Sequence, residues 1–328
     1  MSGQRRIRSG FPGVRRRSER CRKASAGARP RPLVRLVPGG ESRRELYVQA
    51  TSLVRDDNQG ERGVLTLYHY DRSTAAQRVR LLLEEKELPW KSVIVDTARG
   101  DVAQLPQDYH RLNPKGLVPV IVNDGAAIAE SLVILEYLED AFPEPSLRPQ
   151  SPQARARMRA WMRKIDDGVH VASRTIGVCL VNRHIYKAKS AAKIEKYYGQ
   201  MRDQVRRTND QINIASGLDS PLLPAALETF KHLFEEMDSR LADCPWLAGE
   251  TYSLADVALV VYVRRMESFM MAPLWRHLDH LNEWYERIAR RPAYERAVVS
   301  WGDVTEQDRK EHGRAAFDQV ARLWNSQS

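Results

Sequence analysis

The chain has 328 residues, 42% hydrophobic and 29% charged, with a net charge of +10. Residues 1–62 hold 16 Arg/Lys and 6 Asp/Glu, and the 36 of each sign that remain cancel over residues 63–328. The basicity therefore belongs to the N-terminal segment, the neutral body argues against a nucleic-acid enzyme, and the composition excludes collagen, coiled-coil and disulfide scaffolds.

Residues 1–62 are rich in Arg, Ser, Gly and Pro without a steady apolar period. Such a segment cannot bury enough surface to offset the entropy of ordering, so it is expected to be a disordered extension. Its readings are an Arg-rich targeting presequence, a nucleic-acid-binding arm, or upstream sequence translated from too early a start. After Met1 the next methionine is Met158, so a later start needs a non-AUG codon, for instance at Val54 or Val64. Cys21, Cys179 and Cys244 form no CxxC or His/Cys cluster. That predicts a reducing, cytoplasmic compartment and no metal site. The longest apolar run, Val257–Val263, is too short to span a membrane, and no membrane or nucleic-acid partner is expected of the body.

Ordered structure is expected from residue 63 or 64. The segment 64–70, VLTLYHY, has the alternation of a strand. Asp71-Arg72-Ser73-Thr74 can cap a helix over 75–87, whose Val79, Leu82 and Leu83 fall at helical spacing before Leu88-Pro89. Residues 91–96 predict a second strand, making a β-α-β unit with parallel strands. A short helix over 105–112 and the turn Asn113-Pro114-Lys115-Gly116 follow. Residues 118–122 and 126–129 predict a hairpin about Asn123-Asp124-Gly125, and 131–140 a helix. Residues 143–151 are proline-rich and read as a linker. From 152 to about 300 the pattern is helical, with segments near 152–186, 190–215, 222–242, 253–266 and 278–290. Residues 301–328 read as a charged tail that adds a last helix or frays.

Four segments in this order resemble the glutathione transferase family. They are Ser73-Thr74-Ala75-Ala76-Gln77-Arg78-Val79-Arg80, Asn113–Pro119, Glu130–Leu138 and Ser253-Leu254-Ala255-Asp256. The resemblance implies an α/β plus all-α fold, a thioredoxin-like N-terminal domain over 63–142 and an all-helical C-terminal domain over 152–300. It also implies glutathione as co-substrate, a small hydrophobic electrophile as second partner, and a homodimer.

A hydroxyl at a helix N-terminus suits a thiolate, which makes Ser73 the candidate stabiliser with Thr74 as its rival; Ser73 as a plain N-cap stays open. Val118-Pro119 resembles the family's cis-proline step, whose backbone meets the cysteinyl part of glutathione. Glu130 and Ser131 resemble the site for its γ-glutamyl end, with the Ser131 hydroxyl and N–H suiting a carboxylate and Glu130 an ammonium. Lys115 completes the binding set. Ser253–Asp256 has capping-box form and reads as fold-holding. His170, His184 and Tyr186 are candidate polar contacts to the electrophile, while Trp161, Arg78 and Arg80 read as packing or dimer residues.

Residues 136–144, 146–149, 157–161 and 173–177 resemble bacterial β-etherases, which cleave β-aryl ethers with glutathione. The Arg-Val-Arg and Ser-Thr stretches also resemble zeta-class isomerases, although Ala75 stands where that class has cysteine. A non-catalytic docking module with the same fold is the remaining alternative.

Overall fold

The computed structural model describes residues 64–95, 107–199, 201, 203–301 and 306–326. The expected extension over 1–62 lies outside the described residues. The first domain has a four-stranded sheet in the order β2-β1-β3-β4. Its strands are β1 (Leu65–His69), β2 (Trp90–Ile94), β3 (Val120–Asn123) and β4 (Ala126–Ala129). β1 pairs parallel with β2 and antiparallel with β3, and β4 closes the hairpin on β3. β1 alternates buried and half-buried positions along its length, as a central strand covered on one face does.

Helix α1 (Thr74–Glu85) buries Ala76, Val79, Leu82 and Leu83 against this sheet. It stops two residues before the expected end. Leu88 N–H bonds the Leu83 carbonyl at 3.0 Å and Glu87 N–H the Glu84 carbonyl at 3.3 Å. Glu87 has φ 51, so a left-handed residue ends the helix ahead of Pro89. α2 (Gln107–Leu112) and α3 (Ser131–Ala141) complete the domain.

The proline-rich linker is a fixed joint. Lys86 Nζ lies 2.8 Å from Glu139 Oε2, both side chains nearly inaccessible. Lys86 also donates to the carbonyls of Phe142 and Pro145, at 2.8 and 2.9 Å. Glu139 Oε1 accepts from Ser146 Oγ and from the N–H groups of Leu147 and Arg148. A buried ion pair holds its place when its remaining hydrogen-bonding capacity is filled, as here.

The second domain is helical. The stretch expected over 152–186 is α4 (Pro152–Lys164), α5 (His170–Gly177) and α6 (Arg183–Lys187), joined by wide turns at Ile165–Val169 and Val178–Asn182. Gly168 breaks the helical geometry in the first turn. The stretch expected over 190–215 is two helices, α7 (Ala191–Gly199) and α8 (Gln204–Ser216). Then come α9 (Leu223–Asp243), α10 (Leu254–Ser268), α11 (Asp279–Ala289) and the short α12 (Pro292–Tyr294). The charged end forms α13 (Glu306–Asn325), with Ala316, Val320 and Trp324 buried. It comes so close to the end of α10 that a Cβ on Gly313 would meet the Phe269 carbonyl oxygen at 2.1 Å.

α10 is the axis of this domain, buried on every side from Leu254 to Val263. Asp256 sits in it with no exposed surface. Its Oδ1 accepts from Leu247 N–H at 3.1 Å and Trp284 Nε1 at 2.8 Å. Its Oδ2 accepts from the N–H and hydroxyl of Ser253, at 2.9 and 3.0 Å, closing the capping box. Burial pushes its pKa up against those four bonds. Asp256→Ala strands several buried donors at once, and we expect it to cost about 3 kcal/mol or more in denaturant unfolding, a larger loss than in specific activity.

His69, fully buried at the end of β1, accepts from Arg80 through Nδ1 at 3.0 Å and bonds Ser92 Oγ through Nε2 at 2.8 Å. Arg80 donates as well to the carbonyls of Ala297 and Asp71. Burial first, and the Arg80 cation second, lower the His69 pKa to about 3. The unfolded chain takes up this proton near the ordinary value of 6.5. Between those two pH values the unfolded state binds the extra proton, so stability falls as the pH drops. The expected slope from this one group is about 1.4 kcal/mol per pH unit. His69→Gln should flatten the acid arm of the stability–pH curve measured by denaturation.

Candidate functional site

Sheet topology brings the predicted residues to one end of the first domain. Tyr68 near the end of β1 pairs with Val120 at the start of β3, and Val120 pairs with Ala129 at the end of β4. The loop to Ser73, the Val118-Pro119 step and the Glu130-Ser131 corner therefore leave the sheet at a common edge.

Ser73 caps α1: its Oγ accepts the Ala76 N–H at 3.2 Å. Cap and thiolate donor are compatible, because the oxygen takes the helix N–H and the hydroxyl proton remains to be donated. Thr74 is different. It is buried, and its side chain hydrogen-bonds the Tyr262 hydroxyl of α10. The two rivals are thus separated by exposure, with Ser73 half-buried and Thr74 turned into the protein.

The Val118-Pro119 peptide is cis, two residues ahead of the ladder that starts at Val120. The loop before it is held from within. Tyr109 OH and Asn113 Nδ2 both donate to the Leu117 carbonyl, at 2.6 and 2.7 Å. Asn113 Oδ1 accepts the Lys115 N–H at 3.0 Å, and Gly116 takes φ 65. Asn and Gly in this turn are thereby explained by bonding and backbone sign.

Glu130 has φ 67 and ψ 110, an unusual conformation for a residue with a side chain. It precedes α3 without capping it, so no side chain among the described residues caps the helix that Ser131 opens. Uncapped N–H groups at a helix start favour an anion. The Glu130 carboxylate meets Lys115 Nζ at 2.6 Å, with both side chains more than half exposed, and this bond raises the Lys115 pKa. A carboxylate, an ammonium and open N–H groups at one corner suit a zwitterionic amino-acid end.

Across from α1, His170 Nδ1 lies 2.9 Å from the Tyr262 hydroxyl, which also accepts from Arg78 NH2. His170 keeps an exposed side. Burial of the ring first, and then the guanidiniums of Arg78, Arg174, Arg206 and Arg265, lower its pKa from the ordinary value. Arg265 donates to the Arg72 carbonyl next to Ser73. The other two polar candidates do not join this group. His184 stacks on His312 of α13 at 3.8 Å between ring centres, and Tyr186 is buried with Tyr197. Trp161 lies in the core, and Arg78 and Arg80 serve packing within the chain. Tyr262 is absent from the sequence reading, since it looks like one more apolar residue in Val257–Val263. Arg265 and Arg206 had no motif to mark them. Among the described residues no group of three metal-ligating side chains exists.

A thioredoxin-like domain with a cis-proline before β3, followed by an all-helical domain built on a buried capping-box aspartate, defines a glutathione-binding class of fold. Residues 67–146 match the glutathione S-transferase N-terminal domain and residues 178–292 the C-terminal domain. The chain belongs to the glutathione S-transferase family. Protein LigF of Sphingobium is 28% identical over 242 residues, 70% of this chain and 91% of that one. The crystal structure of β-etherase LigF superposes with a TM-score of 0.65 over 72% of this chain and 99% of its own. Glutathione S-transferase Z1 of Arabidopsis is 30% identical over 57% of this chain and 87% of its own. A theta-class enzyme of the citrus canker pathogen Xanthomonas axonopodis, solved with glutathione bound, gives a TM-score of 0.52 at 26% identity over 72% of this chain and 98% of its own.

The different settings of the two hydroxyls predict different phenotypes. Ser73→Ala should lower glutathione-dependent turnover at least tenfold, about 1.4 kcal/mol in the barrier, and, as a lost helix cap, cost about 1 kcal/mol of stability. Thr74→Ala should lower the melting temperature, because it removes a buried bond to Tyr262. Turnover kept in Ser73→Ala and lost in a folded Thr74→Ala transfers the thiolate role to Thr74.

Proposed function

We propose that the chain is a glutathione transferase whose site is the common sheet edge, and that it transfers the thiolate of glutathione to a small aromatic electrophile. The observation that carries this is the arrival of Ser73, Val118-Pro119 and Glu130-Ser131 at one edge. In this reading Ser131 and the start of α3 take the γ-glutamyl carboxylate, and Glu130 takes its ammonium. Lys115 neutralises a carboxylate nearby, and the backbone at Val118 meets the cysteinyl part. Ser73 donates to the sulfur at the positive end of α1, lowering the thiol pKa so that more thiolate is present at neutral pH. Holding that thiolate against the electrophile supplies the remainder of the rate.

For the electrophile, similarity to LigF supports β-aryl ether cleavage. The sulfur would form a bond to the carbon bearing the ether oxygen, and the carbon–oxygen bond would break. Its electron pair would leave on the phenoxide, which takes the proton given up by the thiol. Similarity to the maleylacetoacetate isomerase of Rattus norvegicus, 38% identical over 107 residues, 33% of this chain and 50% of its own, supports a second reading as a glutathione-dependent isomerase, weakened by Ala75 in place of the zeta-class cysteine. A homodimer completes the proposal.

Calorimetric titration of glutathione into the full chain tests the reading. Binding between about 1 µM and 1 mM is expected, weakened at least tenfold in Ser131→Ala and in Glu130→Gln. A folded protein that does not bind points to a docking module in which Ser73 is only a helix cap.

A further inference from the structure

Arg265 of α10 reaches from the second domain to the loop that presents Ser73. Its guanidinium donates to the Arg72 carbonyl, which belongs to the same peptide unit as the Ser73 nitrogen. The other side of that unit is held too, because Ser73 N–H donates to the Tyr70 carbonyl at 3.1 Å. The peptide plane ahead of α1 is therefore pinned at both polar atoms, once from its own loop and once from another domain. Three residues before Arg265, Tyr262 bonds Arg78 of α1. Residues three apart are neighbours on a helix, so one face of α10 meets both α1 and the loop before it.

Arg265 is itself braced. Its guanidinium lies 5.8 Å from the centre of the Phe269 ring, and its carbonyl accepts from Ser268 Oγ at 2.7 Å. The Phe269 carbonyl is the group that α13 approaches so closely at Gly313. A cavity of about 30 Å³ beside the loop is lined by Asp71, Arg72, Arg264, Arg265, Glu306 and Arg309, among others. It has room for a water or two and none for a substrate, so Arg265 acts there on the loop rather than on a ligand. The guanidiniums around it outnumber the carboxylates. Cations at the positive end of a helix are unfavourable unless an anion arrives, and water would satisfy a loop carbonyl without ordering a long side chain. A thiolate at this helix end offsets both costs.

We propose that Arg265 is a positioning residue for the thiolate chemistry: it holds the peptide that carries Ser73, so that the Ser73 hydroxyl keeps its aim on the bound sulfur. This rests on the glutathione reading above and adds to it a residue from the second domain. Arg265 does not touch the sulfur and acts through Ser73. Its loss therefore shows in the ionisation of the bound thiol and leaves the corner at Glu130 and Ser131 as it was.

The test makes two measurements on the full chain. One is the fraction of bound glutathione present as thiolate, read from its ultraviolet absorbance as a function of pH. The other is calorimetric affinity for S-methylglutathione, which has no thiol to ionise. Arg265→Gln is expected to lower the thiolate fraction by about threefold or more below the thiol pKa, with S-methylglutathione affinity kept within about twofold. Arg265→Lys, which keeps a donor, should recover part of that loss. In a Ser73→Ala background Arg265→Gln should add less than about twofold, because a residue acting through Ser73 has nothing left to position. An unchanged thiolate fraction in folded Arg265→Gln overturns the proposal. So does an equal loss with and without Ser73, which makes Arg265 an independent charge. A parallel loss of S-methylglutathione affinity and melting temperature assigns Arg265 to the fold and overturns it too. Should Arg265→Gln not fold, Arg265→Lys decides on the same absorbance, a lowered fraction supporting the proposal and an unchanged one overturning it. An unmutated protein that binds neither glutathione nor S-methylglutathione removes the parent reading and this one with it.

Discussion

One buried oxygen, the hydroxyl of Tyr262, joins the parts of this protein that the chemistry needs together. It lies on α10, the helix buried on all sides, and its position along the chain is held by the Asp256 capping box six residues earlier. It meets Arg78 and Thr74 from α1 and His170 from α5. An unpaired hydroxyl or guanidinium at that depth is costly, so these bonds are obligatory once the helices pack. The start of α1, where Ser73 sits, is therefore placed by the second domain as much as by its own sheet.

The other end of α1 is clamped as firmly. Lys86, at its C-cap, holds Glu139 and two linker carbonyls, while Arg291 holds Glu85 through two bonds of 2.7 Å. Apolar burial supplies most of the driving force here but is indifferent to direction. Hydrogen bonds of defined geometry fix rotation and register. With polar clamps at both ends, α1 has one orientation between sheet and bundle, and the N–H groups at its start point to a fixed place. A site that relies on a helix terminus needs that rigidity, since the terminal field falls away within a turn.

The fold was largely legible because its signals are local. Alternation marks β1, the Asn-Asp-Gly turn marks the hairpin, and serine caps mark α1 and α10. The errors are local too. A single helix expected over 152–186 carries two wide turns, because periodicity survives an extra residue that hydrogen bonding does not. Of the two readings of residues 301–328, the last helix is the one that forms: α13, whose buried face of Ala316, Val320 and Trp324 is sparse in sequence and gains meaning against α9 and α10. In the site, the hydroxyl candidates and the cis-proline step could be named in advance, whereas choosing between Ser73 and Thr74 required knowing which one faces Tyr262. Tyr262 itself was hidden by its neighbours: a tyrosine amid valines reads as core, and its oxygen becomes visible only when Arg78, 184 residues away, is found bonded to it.

Charge was the least legible property of all. The body carries 36 residues of each sign, and a net of zero suggests no preference for an ionic partner. In three dimensions the signs separate. At the Lys115–Glu130 corner they pair at the surface, as suits a zwitterionic ligand that arrives with both charges. Around His170 four guanidiniums gather against one internal carboxylate. The balance of charge thus differs between a paired surface corner and a cationic cluster, a contrast that depends on which helix faces are brought together and that a sum over the sequence averages away.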